Sequence, residues 1–124
     1  MEPVDLSETL SRFVLSRKWI RANNTVRHIA FTPNKNGETS VFRISGITNN
    51  EIWDIGDREV APKRNRPILG RADINTAIVI SNELKVIPSE PPRRHADITD
   101  WPEEKSEQKQ IALELAAESE FHKK

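Results

Sequence analysis

An α+β domain built on a small, mainly antiparallel sheet is the fold this sequence predicts, and three observations carry it. Residues 27–46 read as a β-hairpin, helix-start signals recur at Asp5, Thr48 and Asp100, and apolar residues near the C-terminus repeat in steps of four. The 124 residues fit one domain over 1–124. Folding at that length removes roughly two thirds of the unfolded surface from water, enough for one modest core. The tail from about 119 to 124, ending in "FHKK", is expected to fray.

The elements follow in chain order. "DLSE" offers an Asp5-x-x-Glu8 capping box, and Leu6, Leu10, Phe13 and Val14 recur at helical spacing. A helix of two to three turns is predicted there, or one giving way to a strand near "RFVLS". In "RHIAFTPNKNGETSVFRISG", Asn36-Gly37 suits a type I′ turn, whose two central residues need positive φ. The matching register sets Phe31 opposite Phe42 and Ile29 opposite Ile44, gathers apolar residues on one face, and leaves Pro33 where only an edge strand accepts it.

"ITNNEIWDIG" predicts a second short helix, with Thr48 as cap, Glu51 closing the box, Ile52 and Ile55 on one side and Gly56 as the stop. "APKRNRP" has no periodicity and reads as an exposed loop. Beyond it, 68–74, 84–88 and 95–98 are candidate strands, and some of them must cover the hairpin because two strands alone are marginal. Asn75 can cap one helical turn over "TAIVIS", although the β-branched "AIVI" equally permits a buried strand.

In "PPRRHADITDWP", Pro91 and Pro92 exclude helix and His95 to Ile98 can extend. Asp100-x-x-Glu103, with Pro102 in the first turn, then opens the C-terminal helix. That helix has no apolar residue from Glu103 to Gln110, so only its second half, with Ile111/Leu115 and Ala112/Ala116, can pack on a core.

Composition removes several kinds of chemistry. The absence of cysteine excludes disulfides, thiolate nucleophiles and sulfur-ligated zinc. Glycines stand only at 37, 46, 56 and 70, which leaves no dinucleotide fingerprint, no P-loop and no nucleophile elbow. The three histidines, His28, His95 and His122, have no i, i+4 partner, so neither a metal site nor a cofactor is predicted. A carboxylate-only magnesium site on Asp97 and Asp100 stays open, needing acids from elsewhere. The acidic "MEPVDLSETL" is unlike a secretory signal and no stretch approaches the ~20 apolar residues of a membrane span. A cytoplasmic protein is expected.

Net charge is zero but unevenly spread. Residues 1–11 carry a net −3, residues 12–71 a net +7 and residues 72–124 a net −4. A basic middle can steer an anionic partner, or the segments can neutralise one another across the fold. On the first reading the protein is a non-catalytic binding or adaptor module presenting basic segments to an acidic partner, protein or nucleic acid. Arg17, Lys18 and Arg21 around Trp19, Lys63, Arg64 and Arg66 in the loop, and Arg93 and Arg94 would contact it.

The alternative is a small hydrolase, nuclease or transferase acting through His95 and Asp97, which share a face of an extended strand, with an arginine to hold an anion. The bland reading of the same residues is a surface histidine, a capping aspartate and solvated arginines. "SRFVLS", "SVFRISG" and "RHADITDWP", spread over most of the chain, resemble a pattern in short uncharacterised bacterial proteins. The resemblance implies a stand-alone bacterial cytoplasmic protein and no particular activity.

Overall fold

A computed structural model describes residues 4–124. Its centre is a six-stranded sheet of β1 (Thr9–Val14), β2 (Thr39–Arg43), β3 (Gly70–Asn75), β4 (Lys85–Pro88), β5 (His95–Thr99) and β6 (Glu120–Lys123). The spatial order is β4-β5-β2-β1-β3-β6, and every neighbouring pair is antiparallel. Short helices and one long C-terminal helix complete the α+β fold that the sequence predicts.

Strand alternation divides the core between two faces. On one, Leu10, Val14, Val41, Ala72, Ile74, Val86, Ala96 and Ile98 pack with Ala112, Leu115 and Ala116 of the C-terminal helix, α4 (Lys105–Glu118). On the other, Phe13, Phe42 and Ile44 meet Ile52, Ile55 and Ile68. Both faces are therefore covered, which is why β1 and β3, each flanked by a strand on either side, bury most of their residues.

The second face is covered by helix α1 (Asn49–Ile55), which runs through a π-helical turn (Gly56–Val60) into α2 (Ala61–Arg64). The capping box is formed as predicted: the Thr48 side chain accepts from the Glu51 amide and the Glu51 carboxylate accepts from the Thr48 amide. Gly56 does not stop the helix. It is helical, at φ −59°, and its value lies in its missing side chain, since a Cβ there would lie 2.7 Å from Phe13 Cε1. The helix ends instead at Asn65, at φ 52°. Part of the expected "APKRNRP" loop is thus the helix's last turn.

Four further expectations are corrected. Asp5 opens a turn rather than a helix: its carboxylate accepts from the Ser7 amide and hydroxyl, and the Glu8 amide donates to the Asp5 carbonyl. Strand pairing on both sides then captures residues 9–14, while the Glu8 carboxylate accepts from the Ser45 amide. The expected hairpin of residues 27–46 survives only as a chain reversal and its second arm, and the reversal is not the expected type I′ turn, because Asn36 does not take positive φ and Asn34, not Lys35, bonds to Glu38. The Gly37 amide donates to the Asn34 carbonyl and Gly37 takes φ 77°, but His28–Ala30 is a short 3₁₀ turn, not a strand. Phe31 is wholly buried there, and β2 pairs with β1 and β5 instead.

Asp100 is not the cap of α4; it sits exposed at φ 67° and pairs with Lys85, while the cap position falls to Glu104. Trp101 is buried and donates from its indole to the Ile98 carbonyl, which holds the chain in a bend before the helix begins. Residues 120–123, expected to fray, form β6 on β3. Gly70 admits that strand, because a Cβ would meet the His122 carbonyl at 2.7 Å. Strands β3, β4 and β5 and the Asn75-capped turn α3 (Thr76–Ser81) lie where the sequence predicts them.

Candidate functional site

Strands β1 and β2 pair at only two positions, Leu10 with Arg43 and Ser11 with Phe42. Beyond Ser11 the Arg12 side chain takes over: its Nε donates to the Ala30 carbonyl (2.8 Å) and its Nη1 to the Ser40 carbonyl (3.0 Å). Its guanidinium lies over the Trp19 ring, 5.2 Å from the centroid. Among the described residues no carboxylate lies within ion-pair distance of Arg12. Burial, and secondarily the charge of Arg64, push its pKa down to about 10. It stays charged at neutral pH, as an uncompensated cation.

That arginine forms part of the wall of a cleft of about 760 Å³ between the sheet and the end of the α1–α2 helix. Lys63, Arg64 and Arg66 come to it from the helix end and the residues after it, and His95, Asp97, Ser40 and Phe42 from β5 and β2. Pairing fixes that last group: Ser40 lies opposite Asp97 and Phe42 opposite His95, so all four side chains emerge on one face. The size is that of a small-ligand site.

His95 is held on both ring nitrogens. Nδ1 lies 2.6 Å from Ser89 Oγ and 3.1 Å from the Ser89 carbonyl, and Nε2 lies 2.6 Å from Ser40 Oγ. Asp97 stands 3.9 Å from Nε2, outside hydrogen-bond range, and Phe42 packs edge-on to the imidazole at 5.2 Å. His95 and Asp97 side chains are 17% and 16% exposed, so they lie in the concavity and not on a convex surface.

The structure sorts the residues that the sequence marked. Lys63, Arg64, Arg66, His95 and Asp97 converge on one cleft. Arg17, Lys18 and Arg21 are exposed and do not line it; their neighbour Trp19 does. Arg93 is exposed outside the cleft, and Arg94 is engaged structurally, donating from its amide to the Glu90 carboxylate and from Nη1 to the Arg43 carbonyl. Asp97 and Asp100 do not meet, because Asp100 turns to Lys85. Among the described residues no group of three or more His, Asp or Glu side chains is placed to hold a metal ion.

Sequence reasoning missed Arg12, Ser40 and Ser89. Arg12 and Ser40 depend on the strand order β5-β2-β1 and Ser89 on the pairing of β4 with β5, and no local pattern marks any of them. No helix among the described residues is long and apolar enough to cross a membrane. Compared with known proteins, the chain matches no family model, no curated protein and no solved structure.

Proposed function

We propose that the protein binds an acidic partner by seating a phosphate-bearing group in the cleft walled by Arg12, Lys63, Arg64 and Arg66. One observation carries the reading: Arg12 is a half-buried cation satisfied only by carbonyls and an aromatic ring, with three more cations lining the same concavity. Against these four cations the cleft sets two carboxylates, Glu59, which lies 3.8 Å from Arg58, and Asp97, so the positive charges outnumber the negative ones. An incoming anion relieves the mutual repulsion of Arg12 and Arg64 and gains from reduced screening in a recess. The remaining basic residues, Arg17, Lys18 and Arg21, extend the positive surface for a longer polyanion beside the first strand. The setting proposed is that of a stand-alone bacterial cytoplasmic protein.

Calorimetric titration with inorganic pyrophosphate and with a short 5′-phosphorylated single-stranded oligonucleotide tests the reading. Affinity should fall steeply as salt rises. It should fall about tenfold or more in the double variant Arg64→Ala, Arg66→Ala, since each charge-assisted hydrogen bond lost is worth about 1.5–3 kcal/mol. Binding that ignores salt and both substitutions, or no binding at all, overturns it.

A further inference from the structure

The cleft also contains a hydroxyl in the setting of a nucleophile. Resting on the anion-binding reading, we infer that Ser40 and His95 form a catalytic dyad that hydrolyses a phosphate ester seated against Arg12. The proton inventory of the imidazole points this way. The Ser89 carbonyl, 3.1 Å from Nδ1, can only accept, so it selects the tautomer with the proton on Nδ1. Ser89 Oγ, at 2.6 Å, accepts from the same N–H. Nε2 is then left with its lone pair, aimed at Ser40 Oγ across 2.6 Å. A hydroxyl donating to an imidazole that is oriented from behind by a fixed acceptor is the arrangement that activates serine.

The surroundings supply the remaining roles. Asp97, 3.9 Å from Nε2, is too far to take the proton but close enough to stabilise the imidazolium once it forms. Arg12 donates to the main-chain carbonyl of Ser40, which brings a guanidinium to the residue that carries the attacking hydroxyl, and Lys63, Arg64 and Arg66 line the same cleft. Such cations offset the charge that develops on the equatorial phosphoryl oxygens. Ser40 and His95 lie on paired strands, so their approach is fixed by the sheet rather than by a mobile loop.

In the first step Ser40 Oγ bonds to phosphorus, its proton passes to His95 Nε2, and the bond from phosphorus to the leaving oxygen breaks. His95 returns the proton to that oxygen, releasing the alcohol. Water then attacks the phosphoserine with its proton taken by His95, Oγ leaves and is reprotonated, and phosphate is released. The sum is ester plus water giving alcohol plus phosphate, with no other reactant.

The test pairs pyrophosphate binding with turnover of p-nitrophenyl phosphate and with labelling by diisopropyl fluorophosphate. The expected result is hydrolysis that drops about a hundredfold or more in Ser40→Ala and His95→Gln, together with a peptide-mapped adduct on Ser40 in the unaltered protein. Labelling needs no variant, so a misfolded substitution cannot hide the answer. Pyrophosphate binding without turnover and without a Ser40 adduct overturns the dyad and leaves the cleft's binding role intact. Absence of binding as well overturns both, and hydrolysis that persists in Ser40→Ala overturns the assignment of the nucleophile.

Discussion

Arg12 lays its guanidinium 5.2 Å over the ring of Trp19 while giving one hydrogen bond to each of two main-chain carbonyls. The side chain therefore closes a gap in the sheet and charges the cleft at once. Arg12→Ala strands the carbonyls of Ala30 and Ser40, each at a cost of about 1–3 kcal/mol if water does not replace the donor. Urea unfolding of this variant should show a lowered midpoint, and pyrophosphate should no longer raise it. Arg12→Lys keeps a charge but loses the planar fork, so its midpoint should fall between the two.

The loop that delivers His95 depends on Glu90. Its carboxylate accepts from the Arg94 amide and pairs with Arg43, and these hold its pKa below the ordinary glutamate range. The folded state thus binds this proton less readily than the unfolded one, so the contribution to stability is present above about 4.3 and is lost as pH falls through the lower folded value. Glu90→Gln should flatten that part of the acid limb. Unfolding midpoints recorded from pH 6 to pH 3 for both proteins check it: parallel curves would count against the role.

Removing the cap of α1 should loosen the helix that carries Lys63 and Arg64. Thr48→Ala loses the hydroxyl that accepts from the Glu51 amide at 3.2 Å. The expected cost is about 1 kcal/mol, read by urea denaturation. Thr48→Ser should restore most of it.

Gly56→Ala should destabilise by about 1–3 kcal/mol, because the added methyl meets the Phe13 ring at 2.7 Å. The backbone there is ordinary helix, so the penalty is one of volume alone. Combining it with Phe13→Leu should recover part of the loss, and a double-mutant cycle measures the coupling. Strictly additive effects would contradict this account of the glycine.

How far the fold could be read from sequence follows from where each signal lives. Thr48–Glu51 and Asn75 are legible because a cap and its amides lie within three residues of each other. The same logic misleads at Asp5, whose carboxylate serves a turn, and at Asp100, whose carboxylate pairs with Lys85, and the choice between helix and strand for residues 9–14 belongs to β2 and β3. Asn36-Gly37 announces a reversal correctly, yet nothing local says that Phe31 will be driven into the core instead of pairing with Phe42. At the site, His95 and Asp97 are visible as an i, i+2 pair, whereas Ser40 becomes their neighbour only through cross-strand register. Lys63, Arg64 and Arg66 are apparent as charge, but not the π-turn that precedes the helix end from which they reach the cleft.

Both margins of the sheet are four-residue strands, β4 with Lys85 and Pro88 and β6 with charged ends at Glu120 and Lys123. Short, charged or proline-bearing borders discourage a second molecule from docking by backbone hydrogen bonding. The final strand is thus a guard as well as a ladder partner: cut the chain after Ser119, and the rim of β3 from Gly70 to Asp73 lies open as a template for strand exchange and aggregation.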